Sequence, residues 1–197
     1  MSDNVAINSV LNLLLCGATG YGCYTVGVAH PYAFSACVIG LCHGLVGLID
    51  CLTSDENAKK CKDMTTALME IVPLPLVNVE LFFGGESNNI GLGHGLFIVP
   101  LAISCLVALC KNSGEEVSEA YDTIKLMTIL GNITSLCYLA VNESSWLLGG
   151  MAFLAFMAKY GAEFCESEVS EGSGQPITYI SWSAFFFLAT MAVGGEK

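Results

Sequence analysis

The stretches NLLLCGATGYGCYTVGVA (12–29) and SWSAFFFLATMAVGG (181–195) carry no charged side chain on any face. A helix at a protein surface keeps a polar stripe toward water, so segments this long and evenly apolar must be covered all round, by a large core or by lipid. A chain of 197 residues has no core large enough to cover several of them. With 54% hydrophobic and 13% charged residues, and a mean hydropathy of +0.64, lipid is the solvent this sequence requires.

Seven stretches are long enough to cross a bilayer: 6–28, 32–52, 64–84, 90–110, 122–141, 144–162 and 176–194. The expected fold is therefore all-α, a polytopic transmembrane helical bundle forming a single integral membrane domain over 1–197 with short loops. The third stretch is the least regular, because MEIVPLPLVNVELFF carries two acids, an asparagine and the helix-breaking Pro73 and Pro75. A kinked span follows, or a re-entrant segment that lowers the count to six.

Lysine placement orients the bundle. Lys59, Lys60 and Lys62 follow the second stretch, Lys111 follows the fourth, Lys125 opens the fifth and Lys159 closes the sixth, while the loops near His30, 84–89 and 141–145 have none. Positive charge marks the inner side, which gives a cytoplasmic N-terminus. The start MSDNVAINSV has no positive region before its apolar run, so the first stretch reads as a retained helix and not a cleaved signal.

The remaining composition narrows the function. The net charge of −11 comes from acids in short connections, which reads as solvated helix ends. There is no arginine and the seven lysines form no stripe, which excludes nucleic acid as a partner. The ten cysteines include no Cys-x-x-Cys pair and lie mostly in apolar stretches, so they read as small buried hydrophobes, with no metal site or cofactor expected. Cysteine-rich and arginine-free composition points to a eukaryotic endomembrane or plasma membrane. Asn142-Glu-Ser is expected to stay unglycosylated in a tight turn against the bilayer, and Asn132-Ile-Thr is mid-helix.

The heptapeptide IGLCHGL (39–45) recurs as IGLGHGL (90–96), in two stretches of the same direction. Each is followed by an acidic, lysine-containing loop and a stretch opening ALMEIVPL or KLMTILGN, which places Pro73 opposite Gly131. This pattern predicts a duplicated helix pair, spans 2–3 and 4–5. Gly40 with Gly44, and Gly91 with Gly95, form Gly-x-x-x-Gly strips that let membrane helices approach closely. His43 and His94 fall at the edges of those strips, where an imidazole either bonds a neighbouring helix or serves as a titrating or ligand-contacting group.

Glu70 lies roughly 9 Å into the third stretch and cannot face lipid while charged. Pro73 and Pro75 withhold N–H groups from the carbonyls of Met69 and Ile71, so Glu70 sits beside free oxygens, as at a cation or proton site. The plainer expectation is that it snorkels toward Lys59, Lys60 or Lys62. Glu80 and Asp50 read as interfacial and His30 as a loop residue. No nucleophile elbow, phosphate loop or His-Glu-x-x-His motif is present, so an enzyme is the least supported class.

Two function classes follow. The first is a non-enzymatic accessory, assembly or scaffold protein that packs on a membrane-protein partner or a second copy through its glycine strips, with the lipid bilayer as its medium. The alternative is a small proton- or cation-linked transporter or channel-like protein in which Glu70, His43, His94 and Asn78 line a polar path.

Overall fold

The computed structural model describes residues 2–53, 55–84 and 119–195. The stretch 90–110, with His94, Gly91 and Gly95, lies outside them, and with it the second copy of the heptapeptide. The described chain is helical throughout and contains no strand.

Helix α1 (Ser2–Val26) ends where Gly27 turns left-handed at φ +60°, a conformation glycine takes without Cβ strain. A 3-10 turn, Gly27–Ala29, leads into α2 (Pro31–Thr53), whose Pro31 occupies the first turn, where a missing N–H costs nothing. Helices α3 (Glu56–Ile71) and α4 (Pro73–Gly84) continue one another across Val72, and the prolines account for the interruption. Together they span Glu56–Gly84, 29 residues, roughly 43 Å at the α-helical rise and long enough to cross a bilayer. Helix α5 (Glu119–Asn142) runs unbroken through Gly131, so the two aligned weak points differ: one breaks its helix and the other does not.

After a turn at Ser144, whose φ is +51°, α6 (Trp146–Phe156) starts with Ser145 Oγ accepting from the Leu148 amide. The chain stays helical to Val169 through two π turns, Met157–Gly161 and Cys165–Val169, separated by the short α7 (Ala162–Phe164). Helix α8 (Gly174–Gly194) closes the fold.

Among the described residues five stretches are long and apolar enough to cross a membrane: Val5–Ala29, Pro31–Thr53, Glu56–Gly84, Thr123–Asn142 and Gly174–Gly194. The helices contact one another in a circuit, α1 on α2, α2 on α3 and α4, α4 on α5, α5 on α6, α6 on α8, and α8 back on α1. Helix α4 is the most enclosed, with Pro73, Leu74, Pro75, Val77, Asn78 and Phe82 all buried. Outward faces carry large apolar side chains, among them Leu13, Ile49, Met127, Phe153 and Phe187, the surface a lipid-covered bundle presents.

The glycine strip of α2 is used within the chain. A Cβ on Gly40 would come within 2.6 Å of Thr19 Cγ2, one on Gly44 within 2.6 Å of Cys16 Sγ, and one on Gly47 would collide with the Asn12 amide. All three contacts belong to α1, so the close approach that the spacing predicts is between α1 and α2, not between Gly40 or Gly44 and a separate partner. Substituting Gly44→Leu should therefore force α1 away and cost about 1–3 kcal/mol of stability. Gly17→Leu, at an exposed site with no atom within 4 Å of the added Cβ, should leave thermal unfolding in detergent nearly unchanged. Equal melting temperatures for the two variants would show that the strip does not carry the α1–α2 contact.

Candidate functional site

With its glycines turned to α1, helix α2 directs His43 toward α3 and α8. The imidazole is 5% exposed, and both its nitrogens are engaged: Nδ1 lies 3.0 Å from Thr65 Oγ1 and Nε2 lies 3.1 Å from the Tyr179 hydroxyl. Thr65 donates its own proton to the Lys62 carbonyl at 3.0 Å. That leaves Thr65 Oγ1 as acceptor from Nδ1–H and Nε2 as acceptor from Tyr179 O–H, an assignment in which every proton has one acceptor. The two rings also stack, with centroids 5.7 Å apart.

Glu70 sits near the C-terminus of α3, on the turn before the break. Its Oε1 accepts from Lys159 Nζ at 3.1 Å, and its Oε2 is paired with Lys125 Nζ. The carboxylate thereby ties α3 to α5 and to the first π turn. The snorkelling partners expected from sequence are not used: Lys62 binds Asp50 at 2.8 Å and Lys60 lies 3.8 Å from Glu56 on the surface. Lys125 and Lys159 turn inward because a carboxylate in the low-dielectric part of a bundle needs a counter-charge within contact. All three side chains are about a quarter exposed, so the cluster is neither sealed nor free in solvent.

Glu70, Lys159 and His43 open onto one cavity of about 570 Å³, and Lys125 backs Glu70 from outside its lining. One wall is a single face of α3 with Lys62, Thr66, Met69 and Glu70, continued by Leu74 of α4. A second is a face of the α6 and π-helical run, with Ala155, Ala158, Lys159 and Ala162. The third is a face of α8, from Gly174 and Gln175 through Thr178 and Tyr179 to Trp182, roughly 12 Å of helix. Leu15 and Ile129 complete the apolar end, and His43 lines the middle. The volume is in the range of about 300–1,000 Å³ typical of small-ligand pockets.

Of the four polar-path candidates, the structure brings Glu70 and His43 to this cavity. Asn78 is elsewhere, fully buried between α4 and α5, where its amide donates to the Asn132 carbonyl at 2.9 Å and to Asn132 Oδ1 at 3.0 Å. Its own Oδ1 has no hydrogen-bond partner among the described residues. His94 is outside the described residues. Glu80 is tied to the start of α2: its Oε2 accepts from the Tyr32 and Ala33 amides, and its Oε1 lies 3.1 Å from His30 Nδ1. An anion at a helix N-terminus is electrostatically favoured, so this pair fastens the end of the bundle opposite the lysines. Among the described residues no group of three or more His, Cys, Asp or Glu is placed to hold a metal ion.

At the cavity mouth, Glu166 in the second π turn accepts from the amides of Gly172 at 2.8 Å and Gly174 at 2.7 Å, clasping the turn that starts α8. Gly172 has φ +85°, which a side chain would strain. Those two amide donors hold the Glu166 carboxyl below the usual glutamate range. Sequence reading missed the π turns, Lys125 and Tyr179. Nothing in the local pattern marks a π turn, and Tyr179 meets His43 only through tertiary packing.

A family model described as Domain of unknown function (DUF4791) matches residues 28–193. No curated protein and no solved structure matches the chain.

Because Glu166 has a lower pKa folded than unfolded, its stabilising contribution is present in full above the ordinary glutamate value of about 4.3 and is lost as pH falls through the folded value. The difference in melting temperature between the wild type and Glu166→Gln should be constant above about pH 5 and shrink below pH 4. A difference that persists unchanged at acid pH would contradict the clasp.

Proposed function

The chain belongs to the DUF4791 family, and we propose that it is a small multi-pass integral membrane carrier that receives a solute in a cavity beside Glu70 and His43. The observation that carries this reading is the cavity itself, which reaches the lysine-paired carboxyl of Glu70, within the span Glu56–Gly84, and the buried His43. Intramembrane ionisable groups in a water-accessible space commonly mark a solute pathway. In this reading the chain has seven spans with its N-terminus in the cytoplasm. Lys62, Lys125 and Lys159 then mark the cytoplasmic end, and the cavity faces inward. Spans 2–3 and 4–5 form a duplicated pair, and a eukaryotic endomembrane or plasma membrane is the setting.

The accessory or scaffold reading rested on two glycine strips. One of them, Gly40 and Gly44, is closed against α1, so a membrane partner or second copy is left with Gly91 and Gly95. The carrier is therefore the better supported of the two.

Sided labelling in sealed vesicles tests the carrier reading. Ala158→Cys and Thr178→Cys place thiols on cavity walls, Ala158 being only 5% exposed. In a background with Cys42, Cys61, Cys137 and Cys165 replaced by serine, which removes the exposed thiols and the one beside the cavity mouth, both should react with a membrane-impermeant maleimide applied from the cytoplasmic side, at least tenfold faster than that background alone. Glu143→Cys, near His30 at the other end, should react only from the opposite side. Unreactive Ala158→Cys and Thr178→Cys would mean that water does not enter, and the carrier reading would fail.

A further inference from the structure

We infer that the solute this cavity takes is an organic monoanion with a compact apolar body, whose carboxylate replaces Glu70 as the partner of Lys159. The inference rests on the carrier reading, since it names what the same cavity holds.

The charges settle the sign. At the mouth, Lys62 is neutralised by Asp50, both oxygens of Glu166 are taken by backbone amides, and Glu163 is exposed to solvent. Deeper in, the charged lining residues among those described are Glu70 and Lys159, and Lys125 holds the other oxygen of Glu70 from outside the lining. Within this ion-pair cluster two ammonium groups share one carboxylate, which leaves one positive charge on side chains about a quarter exposed. One further negative charge neutralises it. A phosphate monoester brings about −1.5 to −2 at neutral pH and would overshoot, whereas a carboxylate brings one. Lys159 can release Glu70 without stranding it, because Lys125 still holds the other oxygen.

The shape sets the rest of the ligand. Beyond Lys159 the lining is Leu15, Leu74, Ile129, Ala155 and Trp182, with no charged side chain among them. A strongly hydrated dicarboxylate or sugar acid would have to desolvate against these groups, while a ring or short aliphatic body is favoured there. Tyr179 and His43 already satisfy one another and form a polar wall that does not compete for the anion.

Trp182 supplies the readout. The chain has two tryptophans, and Trp146 is 94% exposed at the start of α6, so Trp146→Phe leaves Trp182 as the only emitter. The full-length Trp146→Phe protein in an uncharged detergent is titrated with 4-bromobenzoate, a carboxylate whose bromine quenches tryptophan. Its controls are 4-bromobenzylamine, which is cationic, and the neutral 4-bromobenzamide. Saturable quenching by the benzoate, at least tenfold weaker for both controls, is expected. Lys159→Met should weaken it at least tenfold, Lys159→Arg should retain it, and Glu70→Gln should tighten it several-fold by removing the competing carboxylate.

Equal quenching by the amine, or a linear response without saturation, overturns the inference. So does an affinity unchanged in both Lys159→Met and Glu70→Gln, and the Arg and Gln variants decide the matter if Lys159→Met does not fold. Displacement of the benzoate in nanodiscs by one-third phosphatidylserine would place the carboxylate on a lipid headgroup and overturn the compact body. If Ala158→Cys is labelled from the cytoplasmic side while benzoate fails to bind, the anion assignment falls and the carrier reading stands. If neither occurs, both fall.

Discussion

Glu70 is the point on which the architecture turns. A carboxylate that far along an apolar helix must meet opposite charge, and it meets two ammonium groups from two other parts of the chain. Helix α3, helix α5 and the π-helical continuation of α6 converge because each contributes one member of that cluster. Convergence at a charged contact, and not at a packed apolar one, leaves space around the side chains. The cavity follows from that space, with the cluster midway between a polar mouth and an apolar end.

Helix α2 does the complementary work. Its glycines bring α1 close on one face, and this turns His43 toward α3 and α8. The histidine between glycines thus follows from geometry: the smooth strip and the hydrogen-bonding edge are two faces of one helix, each committed to a different neighbour. Asn78 and Asn132 perform a similar task between α4 and α5, where an amide pair fixes the register of two helices buried in apolar surroundings.

Much of the helical plan was legible because the bilayer imposes it. Apolar runs around 20 residues long, the prolines at 73 and 75, and the close approach at Gly40 and Gly44 each have a local cause that sequence displays. Glu70 was recognisable as a residue that could not face lipid, and the structure gives it the protein partner that cost demands. Which lysines answer it was not legible. Lys59, Lys60 and Lys62 are nearer in sequence, but Lys125 and Lys159 are nearer in space once the helices close into a circuit. The His43–Tyr179 contact and the cavity belong to the same class, since both arise from how three helices meet and leave no periodic trace in any one of them.

Double-mutant cycles on Glu70 with each lysine test the central claim most directly, with unfolding of the full-length protein measured in lipid bicelles. Glu70→Gln combined with Lys125→Met, and separately with Lys159→Met, should give a coupling energy of about 0.5–3 kcal/mol in both cycles, because one carboxylate serves two ammonium groups. Additive effects in both cycles would mean that Glu70 binds neither lysine, and the convergence of the three helices on this cluster would be refuted.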